Sequence, residues 1–300
     1  MNKPCLCYRK ESVKQIKTKE VDLRTNKYKI LIGHNDQAKE KFLRQFQASF
    51  QKKNSSDYQE ENSLFEYVKI NERDVNQKEN VFYLLHPWLD IDEELKLGSK
   101  SLFLRHIEAL LQEIEFDDHF NMLKQVIGLF ESETLNTKHN VTFDDISLRY
   151  QISEFNSKLF SKLIEVDVYK EDLKSIALDL TYDETIKLII NVINEIAKKF
   201  FHLTYWILIS KKHASSDLIS YFETIEQNMY IILDCESIDK VNLDQIVYFG
   251  DRVTDFQNPE QCYELMVEMN QEFDTLENFK ITAQQHIDKY LNSHKIFQLM

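Results

Sequence analysis

A glycine and a lysine, six residues apart, follow an apolar segment near the start of the chain. Residues 33–40 read GHNDQAKE and come directly after the run YKILI. A phosphate-binding P-loop has the pattern G-x-x-x-x-G-K-[ST] after a strand, and Gly33 and Lys39 match its first glycine and its lysine. In that spacing, backbone N–H groups and a lysine ammonium would hold the phosphates of a nucleotide.

Two positions depart from this pattern. Ala38 replaces the second glycine, and its Cβ hinders the close approach of the backbone to phosphates. Glu40 replaces the hydroxyl residue that holds Mg²⁺, and like charges in a dry site cost several kcal/mol. The segment IILDCE at 231–236 is similar to a Walker B strand, although a strand that ends in aspartate is common. We therefore predict a P-loop-like fold without bound nucleotide and without enzymatic activity, with an active P-loop NTPase as the alternative.

Strand patterns frame this motif at both ends of the chain. Strands are expected at 28–33, 65–70, 80–92, 203–210 and 229–234. Helices are expected at 36–50 and 216–227. Since the last two strands do not alternate and are joined by a helix, they indicate a mostly parallel sheet buried on both faces. The fold class is therefore an α/β head that resembles P-loop ATPases.

Helical periodicity dominates the middle of the chain. Helices are expected at 101–116, 119–133, 144–165 and 183–201. Thr181 and Glu184 have the spacing of a capping box before the last of them. We expect an all-helical leg at 95–202 inserted into a head made of 1–94 and 203–256.

A C-terminal helical extension is expected at 257–300. Residues spaced alternately by four and three form a coiled-coil-like seam. They are Cys262, Met266, Met269, Phe273, Leu276, Lys280, Ala283, Ile287 and Tyr290. The seam either packs on its own domain or binds a partner helix, and the second possibility would make the protein a protein–protein scaffold.

The charge is divided unevenly along the chain. The net charge is −13, but residues 1–60 hold 14 Lys and Arg against 7 Asp and Glu. An acidic protein with one basic face attracts an anionic polymer to that face, and the alternative is a solvated basic tail. The four cysteines form no disulfide framework, and no apolar run approaches the ~18 residues of a membrane span. A cytoplasmic protein without a membrane anchor is expected.

Four stretches of the chain, in order within residues 28–256, are similar to those of a known family. They read YKILIGHND with KFLRQF, NVFYLLHPWLDIDEEL, VTFDDISLRYQISEFNSKLFSKLIEVDV, and TYWILISKKHASSDLISYFETIEQNMYIILDCE followed by QIVYFGDRVTDF. In their order and residues they resemble the type II-A CRISPR adaptation accessory protein known as Csn-two. The basic leader and the tail after residue 256 make the chain look like a long variant of this family.

The resemblance implies a function and a set of partners. Family members form ring-shaped homotetramers that enclose double-stranded DNA entered at free ends, and calcium ions stabilise the ring. Their role is spacer acquisition, alongside the spacer integrase and the effector nuclease. The resemblance implies no nucleotide binding.

Candidate DNA-binding and metal-binding residues follow from charge and position. Cations of the head are candidates for phosphate contacts, since charge-based DNA binding needs Lys and Arg along one face. They are Lys39, Arg44, Lys52, Lys53, Lys211, Lys212 and Arg252. Carboxylates that match the family's acidic stretch are candidates for calcium, which takes 6–8 oxygen ligands. They are Glu131, Glu133, Asp144 and Asp145, with Asp117, Asp118, Glu165 and Asp167 as weaker alternatives.

Overall fold

The conformation of the chain is given by a computed structural model. It describes residues 13–51, 67–86, 91–98, 101–111, 114–135, 141–143, 146–148, 160–161, 163–170, 173–175, 180–239, 241–268 and 275–293. The chain forms two compact units. The head unit is Met1–Leu89 with Phe200–Met300, and the insert unit is Asp90–Lys199. The tail after residue 256 thus belongs to the head unit.

Strands and helices are numbered in chain order. The strands are β1 Lys14–Lys17, β2 Asp22–Thr25, β3 Tyr28–Gly33, β4 Lys69–Ile70, β5 Arg73–Asp74, β6 Asn80–Leu85, β7 Val141–Phe143, β8 Ile146–Leu148, β9 Val168–Lys170, β10 Leu173–Ser175, β11 Thr204–Ala214, β12 Met229–Ile238, β13 Ile246–Phe249 and β14 Val253–Asp255. The helices are α1 Asp36–Ser49, α2 Ile91–Leu95, α3 Leu102–Leu110, α4 Ile114–Leu129, α5 Tyr182–Lys199, α6 Ser216–Phe222, α7 Pro259–Glu268 and α8 Leu276–Ser293. A π-helical turn covers Phe130–Leu135, and a 3₁₀ turn covers Leu243–Gln245.

A six-stranded sheet forms the centre of the head unit, in the order β14-β13-β3-β12-β11-β6. Neighbouring strands are parallel except β13 and β14, which form an antiparallel hairpin. Helix α1 packs Phe42 and Phe46 against the face that carries Leu31. On the opposite face, the ring of Phe222 in α6 packs edge-on against the ring of Tyr28, with 5.8 Å between the ring centroids. The predicted α/β class with a mostly parallel sheet is confirmed.

A second, four-stranded sheet takes two of its strands, β1 and β2, from the segment that the sequence indicated as a basic leader. Strands β2, β1, β4 and β5 pair antiparallel in that order. Ile16 and Leu23 are fully buried in the same core as the aromatic side chains of α1. The interpretation of this segment as a solvated tail is therefore wrong for residues 14–27, because Ile16, Val21 and Leu23 are buried in a core. Residues 1–12 lie outside the described part.

The insert unit contains the strongest predicted helix, now α5. Thr181 N–H donates to Glu184 Oε2 at 2.7 Å, and Glu184 N–H donates to Thr181 Oγ1 at 3.3 Å. The predicted capping box is confirmed. The apolar stripe of α5 is buried, including Ile186, Ile189 and Ile193.

The insert unit is not all-helical, which corrects the sequence prediction. Strands β7 and β8 pair antiparallel, as do β9 and β10. The helix predicted for 144–165 is wrong at 146–148, which belong to β8. The physical reason is local, since VTF and ISL alternate apolar and polar residues around two acidic residues, which is a hairpin pattern.

The tail packs on the head unit. Cys262 of α7 and Phe279 and Ala283 of α8 are buried. Lys280 Nζ donates to Asp244 Oδ1 at 2.7 Å, and Gln284 Oε1 accepts the N–H of Leu243 at 2.8 Å. The described seam residues therefore face their own unit, because the 3₁₀ turn and α8 share these polar contacts. The described part of the seam is therefore not open to a partner helix, as the scaffold alternative would require. The side chains at seam positions 269, 273, 287 and 290 are outside the described part of the chain.

Candidate functional site

Strand β3 and helix α1 are joined by only two residues, His34 and Asn35. The Asn35 side chain accepts the N–H of Ala38 at 3.0 Å and so caps α1. Asn35 also donates its backbone N–H to the carbonyl of Phe249 and its Nδ2 to the carbonyl of Gly250, each at 3.0 Å. These bonds fix the connection against the end of β13.

Gly33 is required by strand packing. Its φ is +138°, a conformation that L side chains rarely adopt. A Cβ at this position would lie 2.1 Å from the carbonyl oxygen of Phe249. Gly33 thus matches the P-loop pattern in sequence, but in the structure it allows β3 and β13 to approach each other.

Lys39 is neutralised within the fold. It is the fourth residue of α1, and its Nζ lies 3.0 Å from Asp234 Oδ1 on β12 and 4.0 Å from Asp36 Oδ1. Its side chain is only 11% exposed. In a P-loop, a loop that precedes the lysine wraps the phosphates. Here residues 36–38 are already helical, so the connection is too short for that cradle.

The lysine pair of β11 lies within the strand and not beyond its end. β6 follows β11 as far as Ile209, while β11 and β12 stay paired up to Ala214 and Ile238. The strand prediction ending at residue 210 was therefore too short. The two lysines lie on a parallel two-stranded ribbon that continues past the carboxyl edge of the sheet.

The two lysines of the ribbon differ in environment. Lys211 is partly buried opposite Cys235, and burial lowers the pKa of its ammonium group. Burial raises the pKa of the Cys235 thiol to about 12, so this thiol stays protonated and unreactive at neutral pH. Lys212 is exposed. The alternation of the ribbon thus leaves Lys212 as the member of the pair that faces solvent.

Sequence reasoning missed a polar chain at the end of the ribbon. His213 Nε2 lies 3.2 Å from Asp239 Oδ1, and His213 Nδ1 lies 3.0 Å from Ser237 Oγ. The carboxylate, imidazole and hydroxyl follow one another as in a hydrolase triad. However, Ser237 Oγ donates its proton to the carbonyl of Lys212 at 3.3 Å, so this hydroxyl has a structural hydrogen bond. Asp239 Oδ2 accepts the N–H of Ser216 at 3.0 Å. The chain therefore ties the ribbon to α6 and holds the backbone that carries Lys212.

The other predicted DNA-binding residues are dispersed. Arg44 forms an exposed ion pair with Glu40, and Arg252 lies 3.9 Å from Glu264. Lys52 and Lys53 lie outside the described residues. The structure thus places Lys211 and Lys212 on one ribbon, and it places Lys39 in a partly buried ion pair.

Ion pairs neutralise much of the basic N-terminal segment. Several of its cations lie within 4.0 Å of a carboxylate. They are Lys17, Lys29, Lys39, Lys41 and Arg44, paired with Glu72, Asp255, Asp234, Glu20 and Glu40. The positive charge counted in the sequence is therefore greater than the charge that these residues present to solvent.

Comparison with known proteins gives a structural neighbour. No family model matches the chain, and no curated protein matches it. Among solved structures, it is similar to Stu0660 of Streptococcus thermophilus, with a TM-score of 0.65 and 14% sequence identity. The match covers 92% of this chain and 86% of that chain. At this identity the likeness shows a shared fold.

The structural match includes residues from both ends of the chain. The sequence indicates the leader, 1–27, and the tail, 257–300, as additions to the family's pattern. A match over 92% of 300 residues leaves about two dozen residues outside, so it must extend into both segments. Parts of both segments therefore belong to the shared fold.

The predicted calcium ligands fall largely outside what the structure describes. Glu131 and Glu133 lie in the π-helical turn, and Asp144 and Asp145 are outside the described residues. Within the described ranges, no group of three or more His, Cys, Asp or Glu side chains is placed to hold a metal ion. Two carboxylates on one turn fall short of the 6–8 oxygens that calcium takes. Calcium binding stays a prediction.

No helix in the described part of the chain combines the length and the apolar character needed to cross a bilayer.

Proposed function

We propose that the protein binds the ends of double-stranded DNA as a homo-oligomeric ring and acts in CRISPR spacer acquisition. The resemblance of 28–256 to the Csn-two family supports the biological role. The six-stranded sheet with its strand–loop–helix connection supports the head architecture that the resemblance implies. A cytoplasmic location, a tetrameric state, and the spacer integrase and effector nuclease as partners belong to the same proposal.

The Lys39–Asp234 ion pair is the observation that carries the proposal of a non-enzymatic protein. The lysine of a working P-loop contacts nucleotide phosphates, whereas here a carboxylate 3.0 Å away neutralises it. The two-residue connection before α1 leaves no loop to cradle phosphates. We therefore propose that the head is a nucleotide-fold scaffold that binds no ATP.

Exposed cations near the carboxyl edge of the sheet support DNA binding. Ligands of open parallel sheets gather at that edge, and the ribbon places Lys212 beyond it. The polar chain of His213, Ser237 and Asp239 holds the ribbon backbone in place. A phosphate contact by Lys212 would therefore come from a fixed position.

Linear and closed-circular duplexes of the same sequence distinguish a ring from an ordinary DNA-binding surface. A ring loads over free ends, so we expect binding to the linear form alone, with affinity that falls as salt rises. Adding calcium or a chelator tests the calcium proposal in the same assay. Equal binding to both forms refutes end loading, and tight Mg·ATP binding that Lys39→Ala abolishes supports the NTPase alternative.

A matched pair of variants tests the contribution of the ribbon. Lys212→Glu reverses one charge beyond the carboxyl edge of the sheet, and Lys78→Glu makes the same change in the exposed turn before β6, at the opposite edge. We expect Lys212→Glu to weaken DNA binding and to reduce the salt slope by about one. Lys78→Glu should leave both unchanged. An equal effect of the two variants would show that net charge alone governs binding.

A further inference from the structure

The imidazole ring of His213 faces an oxygen atom on each side. Its Nε2 lies 3.2 Å from Asp239 Oδ1, and its Nδ1 lies 3.0 Å from Ser237 Oγ. The Ser237 hydroxyl also donates to the carbonyl oxygen of Lys212 at 3.3 Å. Because His213 directly follows Lys212 in β11, one serine bonds both the ring and the backbone that precedes it.

A count of protons shows which form of the ring this arrangement needs. A carboxylate only accepts hydrogen bonds, so Nε2 must carry a proton to bond Asp239. A serine hydroxyl has a single proton, and here Ser237 gives it to the carbonyl of Lys212. Nδ1 must therefore donate as well. In this arrangement the ring of His213 is an imidazolium with a positive charge.

A neutral ring gives a second arrangement. Nε2 keeps its proton toward Asp239, and Nδ1 becomes an acceptor. The hydroxyl of Ser237 is then the donor that Nδ1 faces, so its proton turns away from the carbonyl of Lys212. The two protonation states of the ring thus correspond to two directions of one O–H bond, and only the first holds the carbonyl.

Other charged and titratable groups surround the ring. Asp239 pairs with it, and the second oxygen of this carboxylate accepts the N–H of Ser216 at the start of α6. Lys211 lies two residues before His213 on the same face of β11, and burial lowers the pKa of its ammonium group. Groups at neighbouring positions of the three elements are Lys212, Cys235, Glu236 and Asp217. Between pH 6 and 8 an imidazole changes its charge, whereas exposed lysine and carboxylate groups ordinarily do not.

We propose that His213 is a pH-sensitive positioning residue for Lys212. In its protonated form, the ring directs the Ser237 hydroxyl to the backbone of Lys212 and adds a positive charge beside this lysine. In its neutral form both effects are lost, so DNA affinity is high at pH 6 and falls as the pH rises toward 8. The inference rests on the proposed DNA-binding function and adds its regulation by pH.

Binding of a linear duplex at pH 6, 7 and 8, at fixed ionic strength, tests the consequence for DNA. We expect the affinity at pH 6 to exceed that at pH 8 about threefold or more, with a salt slope greater by about one per bound chain, because one more cation faces the phosphates. His213→Gln should remove the difference. His202→Gln changes an exposed histidine just before the opposite end of β11, and this matched control should retain it. A pH dependence that survives His213→Gln, or that Lys211→Met alone removes, overturns the proposal.

Carbonyl NMR tests the switch without DNA. Chains labelled with carbonyl-¹³C lysine and ¹⁵N histidine report the two Lys–His peptide bonds of the sequence, Lys138–His139 and Lys212–His213, and His213→Gln assigns the second. We expect the carbonyl signal of Lys212 to shift between pH 6 and 8 as its hydrogen bond is lost, and Ser237→Ala to suppress most of that shift. Circular dichroism checks that each variant is folded.

The two measurements fail in different ways. A Lys212 carbonyl signal that does not respond to pH, or that shifts equally in Ser237→Ala, refutes the switch. If the carbonyl signal shifts as expected but the protein binds no linear duplex at any pH, the proposed DNA-binding function is the part that fails.

Discussion

Replacing Lys29 by methionine is expected to destabilise the head unit by about 3–5 kcal/mol, as when one partner of a buried ion pair is removed. Lys29 and Asp255 are both fully buried, and Nζ lies 2.6 Å from Oδ1. Burial lowers the pKa of the Lys29 ammonium, and the neighbouring carboxylate opposes that shift. The Asp255 carboxylate also accepts the N–H groups of Arg24 at 2.6 Å and Gln257 at 3.0 Å. After the substitution, this carboxylate keeps two hydrogen bonds but loses its cation.

Elementary electrostatics gives the same order of magnitude. Two unit charges 4 Å apart attract by about 4 kcal/mol at an effective dielectric constant of about 20. Lys29 also donates to the carbonyl of Asp244 at 2.5 Å, so the variant loses a charge-assisted bond to the 3₁₀ turn. Since domains are stable by about 5–15 kcal/mol, the loss is a fifth of the total or more.

Urea unfolding measures this loss through the fluorescence of Trp206. That side chain is fully buried and stacks on Tyr230, with 4.8 Å between the ring centroids. The measurement uses a Trp88→Phe background, which removes the second tryptophan of the chain. We expect a lower midpoint at unchanged slope. Lys41→Met is the matched control, because its exposed pair with Glu20 contributes at most about 1 kcal/mol.

A double variant tests whether the two charges act as a pair. Lys29→Met combined with Asp255→Asn should cost less than the sum of the two single changes, because no uncompensated charge is left in the core. Additive costs, or a Lys29→Met loss no larger than that of Lys41→Met, would refute the reasoning.

Three further predictions follow from packing and capping. Gly33→Ala should destabilise the protein by at least ~2 kcal/mol in urea unfolding, because its Cβ would meet a carbonyl oxygen at 2.1 Å, whereas Gly98→Ala, with open space, should be nearly neutral. Phe279→Ala should cost about 3–5 kcal/mol and Ile281→Ala less than about 0.5 in the same assay, since the first is buried and the second is half exposed. The pKa of Glu184 is lowered to about 2, first by the backbone N–H three residues earlier and then by a lysine, so the protection of the α5 N-terminus is present above pH 4.5 and is lost as pH falls through about 2. Hydrogen exchange against Glu184→Gln checks this, and a flat profile in both proteins contradicts it.

The sequence alone predicted those helices and strands that are defined by residues close together in the chain. The strand at Tyr28–Gly33 and the helix at Asp36–Ser49 match their predicted positions because an apolar run and an aromatic row define them. The capping box at Thr181 needs residues only three apart and was equally visible. Where hydrophobic periodicity and a capping motif indicate the same segment, the sequence is enough to predict the helix.

Elements that depend on distant partners could not be predicted. Strand β1 contains a single buried apolar residue, Ile16, and is held by pairing with β2 and with β4 more than fifty residues away. In the sequence, Lys29 is a polar residue within an apolar strand. Its buried ion pair could not be predicted because its partner Asp255 lies 226 residues further along the chain. The polar chain around His213 depends on the parallel register of β11 and β12, which also carries both strands beyond their predicted ends.

The charge distribution shows how folding changes a conclusion drawn from composition. The N-terminal segment looked like the basic face, yet its cations Lys17, Lys29 and Lys39 are paired with carboxylates from other parts of the head. A lysine in an ion pair must give up its carboxylate before it contacts a phosphate, so it contributes less to counterion-driven DNA binding than its charge suggests. Under the proposed function, the attraction to DNA would then depend on exposed cations outside such pairs, including those at the carboxyl edge of the sheet. Lys212 holds such a place, which is why the charge reversal at this residue decides between a positioned DNA site and a diffuse positive field.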